Sequence, residues 1–202
     1  MSQLNVEQAA SALGVSGVQI GRLIDAGELV AERFGRSWAI DPDSLRRYRL
    51  LRPGRGRPLS ERASWQRAVN APPPANIDEA ILLARLVRRR SKNQHVRIIP
   101  AFDQRIDSDP RVIHGGAHAA IHHGAGIGRP AQRDIYIHAG DADQFRAEYR
   151  VDPNAIDPNT VLRIIDQPID FADNFVPPLI AVLDLLDAAD TRAAAEALLV
   201  LR

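Results

Sequence analysis

The sequence predicts an α+β protein in two parts, a small helical unit closed by a two-stranded hairpin and a larger unit of short strands and helices. Three observations carry this expectation. Apolar residues recur at helical spacing on both sides of a glycine turn within the first 27 residues. A strand pair centred on Gly35 follows over residues 29–40. Beyond residue 90, short β-branched runs alternate with helical stretches. The expected division is a first domain at 1–50, an Arg/Pro-rich connector with a short helix at 51–76, and an acidic α+β domain at 77–202.

In the first domain, Asn5 and Gln8 form a capping-box pattern. Val6, Ala9, Ala10 and Leu13 share one helical face, and Gly14 ends that helix. Ser16 caps a second helix with Ile20, Leu23 and Ile24 inside, and Gly27 ends it. Leu29 to Ile40 reads as a hairpin, with Trp38 packing back onto the helices. Asp41-Pro42 opens a third helix carrying Leu45 and Tyr48. In the connector, Pro53-Gly54-Arg55-Gly56-Arg57-Pro58 excludes helix and central strand. Ser60 caps a helix with Ala63, Trp65, Ala68 and Val69, and Pro72-Pro73-Pro74 is a stiff break. A helix from about Ile77 to Arg90 follows, with Ile81, Leu82, Leu86 and Val87, and Arg88-Arg89-Arg90 suits its C-terminus.

In the last domain, strands are expected at Val96–Ile99, Asp134–Ile137 and Val161–Ile165. Helices are expected at Gly116–His123, Asp141–Tyr149, Leu179–Ala188 and Thr191–Leu201, with Leu183, Leu186, Leu198 and Leu201 in the core.

The net charge of +1 conceals an asymmetry. Residues 1–102 hold 17 Lys+Arg against 9 Asp+Glu, and residues 103–202 hold 9 against 16. A basic half suits a polyanion, which the acidic half would repel. With no cysteine, disulfides and thiolate metal sites are excluded. No signal-peptide pattern or long apolar run is present, so a soluble cytoplasmic protein without membrane partners is expected.

The second helix is the expected DNA reader. Its core positions leave Gly17, Gln19 and Arg22 outward, with Ser16 at its start. Gln can bond adenine bidentately and Arg can bond guanine. Arg33 and Arg36 on the hairpin suit phosphates or the minor groove. The run Arg46, Arg47, Arg49, Arg52, Arg55, Arg57, Arg62 and Arg67 faces one acid, Glu61. Arg46, Arg52, Arg55 and Arg57 are the expected contacts from it. The Gly- and Arg-bearing part is similar to arms that enter an A/T-rich minor groove, and equally to a solvated hinge.

Residues 4–49 resemble the winged helix-turn-helix of the excisionase/MerR type. The matching pieces are Val6-Glu7-Gln8-Ala9-Ala10, Leu13-Gly14-Val15-Ser16, Arg22-Leu23-Ile24, Gly27-Glu28-Leu29, Gly35-Arg36-Ser37-Trp38-Ala39-Ile40 and Leu45-Arg46-Arg47-Tyr48. Gly21 and Gly17 stand where such proteins often carry Tyr and Arg. The resemblance implies sequence-specific double-stranded DNA binding. One such unit contacts too few bases for a unique site, so a homodimer or cooperative oligomer is expected, with half-sites about 34 Å apart or a multiple.

Two chemical readings arise in the last domain. His114, His118 and His122 recur every four residues, beside His123, and i,i+4 imidazoles on a helix can share a metal. Gly115-Gly116 delays the helix, however, which leaves His114 outside it, and no third fixed ligand is evident. No metal or cofactor is assigned. Separately, Gly115-Gly116-Ala117-x-Ala119 followed by Asp134-Ile135-Tyr136 resembles the Gly-Gly and Asp-x-Asp elements of nucleotidyltransferases. That resemblance implies carboxylates holding Mg²⁺, with the third on the strand from Val161 to Asp166. Tyr136 takes a carboxylate's place, so the expected domain is a degenerate scaffold and the protein is not expected to be an enzyme. Over most of its length the chain is similar to actinobacterial AbiEi-like antitoxin regulators, on Arg57-Pro58-Leu59-Ser60, Trp65, the Gly-Gly-Ala helix, Val161-Leu162-Arg163-Ile164 and Leu183-Asp184-Leu185-Leu186. This implies a repressor of its own operon with a cognate toxin as partner. The alternatives are an excisionase-like or architectural DNA-bending factor, and a metal-dependent nucleotidyltransferase-like enzyme.

Overall fold

The computed structural model describes residues 3–35, 37–52, 58–167, 171 and 173–201. It is a mixed α+β structure that divides into two compact units, Met1–Arg52 and Pro53–Arg202.

The first unit runs α1 (Val6–Leu13), α2 (Gly17–Asp25), β1 (Ala31–Phe34), β2 (Ser37–Ile40) and α3 (Pro42–Leu51). Local chemistry sets each boundary. The Asn5 side chain accepts from the Gln8 N–H at 2.8 Å, and the Gln8 side chain accepts from the Asn5 N–H at 2.9 Å. Gly14 ends α1 at φ 64°, a conformation that favours glycine. Ser16 Oγ accepts from the Gln19 N–H, and Asp41 caps α3 with Pro42 in its first turn. Strands β1 and β2 pair antiparallel from Ala31↔Ile40 to Phe34↔Ser37, and Gly35, which follows β1, has φ 59°. Leu4 exchanges two backbone hydrogen bonds with Ile40, which ties the chain start to the hairpin.

One core joins these elements. Ala9, Leu13, Ile20, Leu23, Leu29, Ile40 and Leu45 are buried, and Val6, Ala10, Ile24, Trp38 and Tyr48 pack around them. These are the apolar positions that the helical spacing selects. The buried Ser44 hydroxyl accepts from the Val30 N–H and donates to the Asp41 carbonyl, so it is satisfied inside.

The second unit begins with α4 (Glu61–Val69) and α5 (Ile77–Leu86), and then β3 (Lys92–Val96), α6 (Asp103–Asp107) and β4 (Ile113–His114). It continues with α7 (Gly116–His122), β5 (Arg133–His138), α8 (Ala142–Glu148), β6 (Thr160–Ile165), α9 (Pro178–Asp187) and α10 (Thr191–Leu198). The sheet order is β3-β6-β5-β4, with β5 and β6 parallel and both outer pairings antiparallel. Alternation along β5 and β6 separates the two faces. Ile135, Ile137, Leu162 and Ile164 join Ile106, Phe145 and Tyr149 in an apolar core on one face. Asp134, Tyr136 and Arg163 lie on the other, which α7 and the wholly buried run Leu179–Leu186 of α9 approach.

Several sequence expectations shift. The strand expected at Val96–Ile99 is β3 at Lys92–Val96, because the pairing with β6 runs from Lys92↔Ile164 to Val96↔Thr160. An edge strand needs only one apolar face, so the polar run Lys92-Asn93-Gln94-His95 serves, and Pro100 excludes extension beyond Ile99. β4 and α6 lack a readable sequence signal because of their two- and five-residue lengths. On α5 the buried positions are Ala80 and Ala84, with Val87 beyond the end, whereas Leu82 and Leu86 are exposed. Small residues lie inside there because α9 crosses closely. Leu183, Leu186 and Leu198 are core as expected, and Leu201 is half-buried. Helix α4 packs within the second unit, where Trp65 lies 5.9 Å from Tyr136 and 6.3 Å from Phe171.

Candidate nucleic-acid interface

Helix α2 buries Ile20 and Leu23 in the core of the first unit, so the 3.6-residue repeat turns Val18, Arg22 and Asp25 away from it. Val18 is 70% exposed. Arg22 is exposed and has no ion pair among the described residues. Ser16 sits at the head of this face, where its Oγ already accepts from the Gln19 N–H at 3.3 Å. Gly17 is exposed toward solvent, and a Cβ there would come within 3.3 Å of Val6 Cγ1 on α1. Gln19 is half-buried at the edge of the face.

The remaining expected contacts are spread over the unit. Arg33 on β1 is exposed, with its guanidinium 5.7 Å from the Trp38 ring centroid. Arg46 on α3 pairs with Asp43 at 2.5 Å, which offsets its charge, and Arg52 follows the end of α3 and is exposed. Arg36, Arg55 and Arg57 lie outside the described residues. The sequence reading passed over Val18 and Phe34, which are 70% and 61% exposed. Helical phase was the available signal for Val18. Phe34 had its place beside the turn glycine.

The second unit contains the other concentration of polar groups, and it is inside. Arg163 donates from Nε to Asp134 Oδ1 at 2.6 Å and from an Nη to Oδ2 at 2.9 Å, a bidentate pair. Its other Nη donates to Asp187 Oδ2 at 2.7 Å. Arg90 donates to Asp184 Oδ1 at 2.6 Å and to Asp187 Oδ2 at 2.5 Å. The Tyr136 hydroxyl donates to Asp184 Oδ1 at 2.6 Å, and the Gly116 N–H donates to Oδ2 at 3.1 Å. Arg90, Arg163, Tyr136 and Asp184 are essentially inaccessible. The sequence placed Arg90 at a basic helix end, and it is a core residue paired with α9.

Three carboxylates face two guanidinium groups, so the cluster carries one excess negative charge. Burial raises the Asp134 carboxyl. Arg163 opposes this, Asp184 and Asp187 add to it, and the net position is about 6. A carboxyl raised on folding stabilises the fold below its unfolded pKa, and that contribution is lost as pH rises through the folded pKa. Stability of the second unit should therefore carry a falling component between about pH 4 and pH 6. Denaturant titrations across this window should show it in the parent and lose it in Asp134→Asn. An equal pH slope in both would refute the assignment.

This cluster bears on the Gly-Gly and Asp-x-Asp resemblance. β6 places Arg163 beside Tyr136 and on the face of Asp134, so the group that Asp134 meets on that strand is a guanidinium. Asp166 lies five residues beyond the partner of Asp134, about 16 Å along the strand. It pairs with Lys92 at 3.2 Å, and its N–H bonds Glu61. Asp134 and Asp166 are thus not brought together, and these residues do not fit a Mg²⁺ site. The glycine pair has an internal reason as well. A Cβ at Gly115 would lie 2.8 Å from both Asp184 Oδ2 and Tyr136 Cε2, and one at Gly116 would lie 3.0 Å from Asp134 Cβ.

The histidines pack against neighbouring rings, and His114 and His122 share Phe175. His114 lies on β4, outside α7, as the glycine pair implied. His122 stacks on Phe175 with centroids 3.9 Å apart, and His123 Nε2 is 2.8 Å from the Val176 carbonyl. Burial lowers the pKa of His114 and of His118. Among the described residues no group of three or more His, Asp or Glu is arranged to hold a metal ion. No helix among them is long and apolar enough to cross a membrane.

Comparison of the chain with protein-family models, curated proteins and solved structures returns no match.

Proposed function

We propose that this chain is a sequence-specific double-stranded DNA-binding protein that acts as a transcriptional repressor. Its first unit serves as a winged helix-turn-helix, with α2 in the major groove and the β1–β2 hairpin beside it. The observation that carries this reading is the outward face of α2. A short, well-capped helix presents Val18 and Arg22 to solvent, and neither side chain is needed by the core behind it. A helix of this kind is about 10–12 Å across, and the major groove is about 12 Å wide. Arg22 supplies the side chain best suited to guanine, and Arg33 lies on the hairpin within the same unit. The second unit, whose acidic residues gather beyond residue 102, serves subunit pairing or a protein partner. An autoregulating antitoxin with a cognate toxin is the finer form of this proposal.

The test is a salt-titrated binding assay of the full chain on the DNA upstream of its own gene, against scrambled DNA of equal length. A steep salt slope with a large specificity ratio is expected. Arg22→Ala should weaken binding by about 1–3 kcal/mol and relax sequence choice at one position. Equal affinity of parent and Arg22→Ala for both DNAs would remove the reading.

A further inference from the structure

Among the glycines of the first unit, three adopt left-handed backbone, one lies close to a neighbouring side chain, and one does neither. Gly14, Gly27 and Gly35 have φ of 64°, 69° and 59°. Gly17 abuts Val6. Gly21 has no positive φ, and a Cβ added there would meet nothing within 4 Å. It nonetheless stands in the middle of α2, where glycine is the poorest former after proline. One turn away is Val18, an apolar side chain left 70% exposed on a nine-residue helix. Val18 and Arg22 are i,i+4 neighbours on the outward face, and Gly21 lies three residues from Val18 on its flank.

We propose that Val18 is a specificity-determining residue that packs on the C5-methyl group of a thymine, and that Gly21 lets the α2 backbone come close enough for so short a side chain to reach it. This rests on the DNA-binding reading above. Thymine is the base whose major-groove edge offers a methyl group, and a small apolar side chain is its complement. A bare Cα beside the contact removes the methyl that would hold the helix off the base edges. Arg22, about 6 Å further along the helix, then falls within about two base steps, so the recognised site pairs a thymine with a nearby guanine.

The experiment selects a binding site from random duplexes with the full chain and then replaces each thymine singly by deoxyuridine, which removes only the methyl group. The parent should lose about fourfold in affinity at one position, the worth of one buried methyl. Val18→Ala should bind thymine and deoxyuridine equally there. Gly21→Ala should raise the thermal midpoint and yet weaken binding to the selected site, a divergence that a purely structural role would not produce. The inference is overturned if no thymine is sensitive, if Val18→Ala keeps the discrimination, or if Gly21→Ala binds as the parent does. A selection that enriches no site overturns the DNA-binding reading itself, whereas an enriched site with a flat deoxyuridine scan overturns only this step.

Discussion

Replacing Arg163 by alanine should destabilise the second unit by about 3–5 kcal/mol, the cost of removing one partner from a buried ion pair. Its guanidinium makes both hydrogen bonds to Asp134 and a third to Asp187, at 2.6–2.9 Å, in a region that water does not reach. Without it Arg90 alone faces Asp134, Asp184 and Asp187, and the buried excess negative charge grows from one to two. For a unit of this size the thermal midpoint should fall by roughly 10–15 °C. A double-mutant cycle makes the test specific. Combined with Asp134→Asn, the loss should be smaller than the sum of the two single losses, because the excess negative charge then stays at one and does not rise to two. A loss below about 1 kcal/mol for Arg163→Ala, the range of exposed pairs, would show that the pair is not buried.

Gly116→Ala should cost about 2–4 kcal/mol from two independent sources. At φ 51° the residue is in the left-handed region, which costs a side-chain-bearing residue about 1–2 kcal/mol. The new Cβ would also lie 3.0 Å from Asp134 Cβ. That atom belongs to a strand residue locked by Arg163, so it cannot withdraw, and crowding of this kind costs about 1–3 kcal/mol. Gly126→Ala, where a Cβ meets nothing within 4 Å, is the matched control and should be close to neutral. Equal thermal midpoints for Gly116→Ala and the control would refute the close approach of the α7 start to β5.

These two variants also separate the readings of the Gly-Gly and Asp-x-Tyr pattern. In the sequence it resembles elements of phosphate and metal chemistry. In the fold Gly115 and Gly116 let the chain pass against Asp134, Tyr136 and Asp184, and the carboxylates answer to arginines. The pattern was legible, but the partner that gives it meaning was not. Asp134 and Arg163 are 29 residues apart, and Arg90 and Asp184 are 94 apart. The triplet Arg88-Arg89-Arg90 looks uniformly solvated as a sequence, and nothing local marks its third member for burial.

The first unit was legible for the opposite reason. The Asn5 and Gln8 box, the Gly14 turn, the Ser16 cap and the Asp41-Pro42 start each act within four residues, and the apolar spacing around them selects one core. Phase also determines which side of α2 faces out, so Arg22 could be found, and Val18 could have been. β5 and β6 were visible through their alternation, whereas β3 was misplaced by three to four residues because its polar edge sequence gains order only from pairing with β6. The sequence by itself therefore determined the local elements, the helical faces and the polar–apolar alternation of the central strands, since these depend on contacts between near neighbours. The tertiary structure decided which charges go inside, why the two glycines are required and where the edge strand lies. A buried charge is stable only beside its counter-charge, and here the counter-charge comes from a distant segment of the chain.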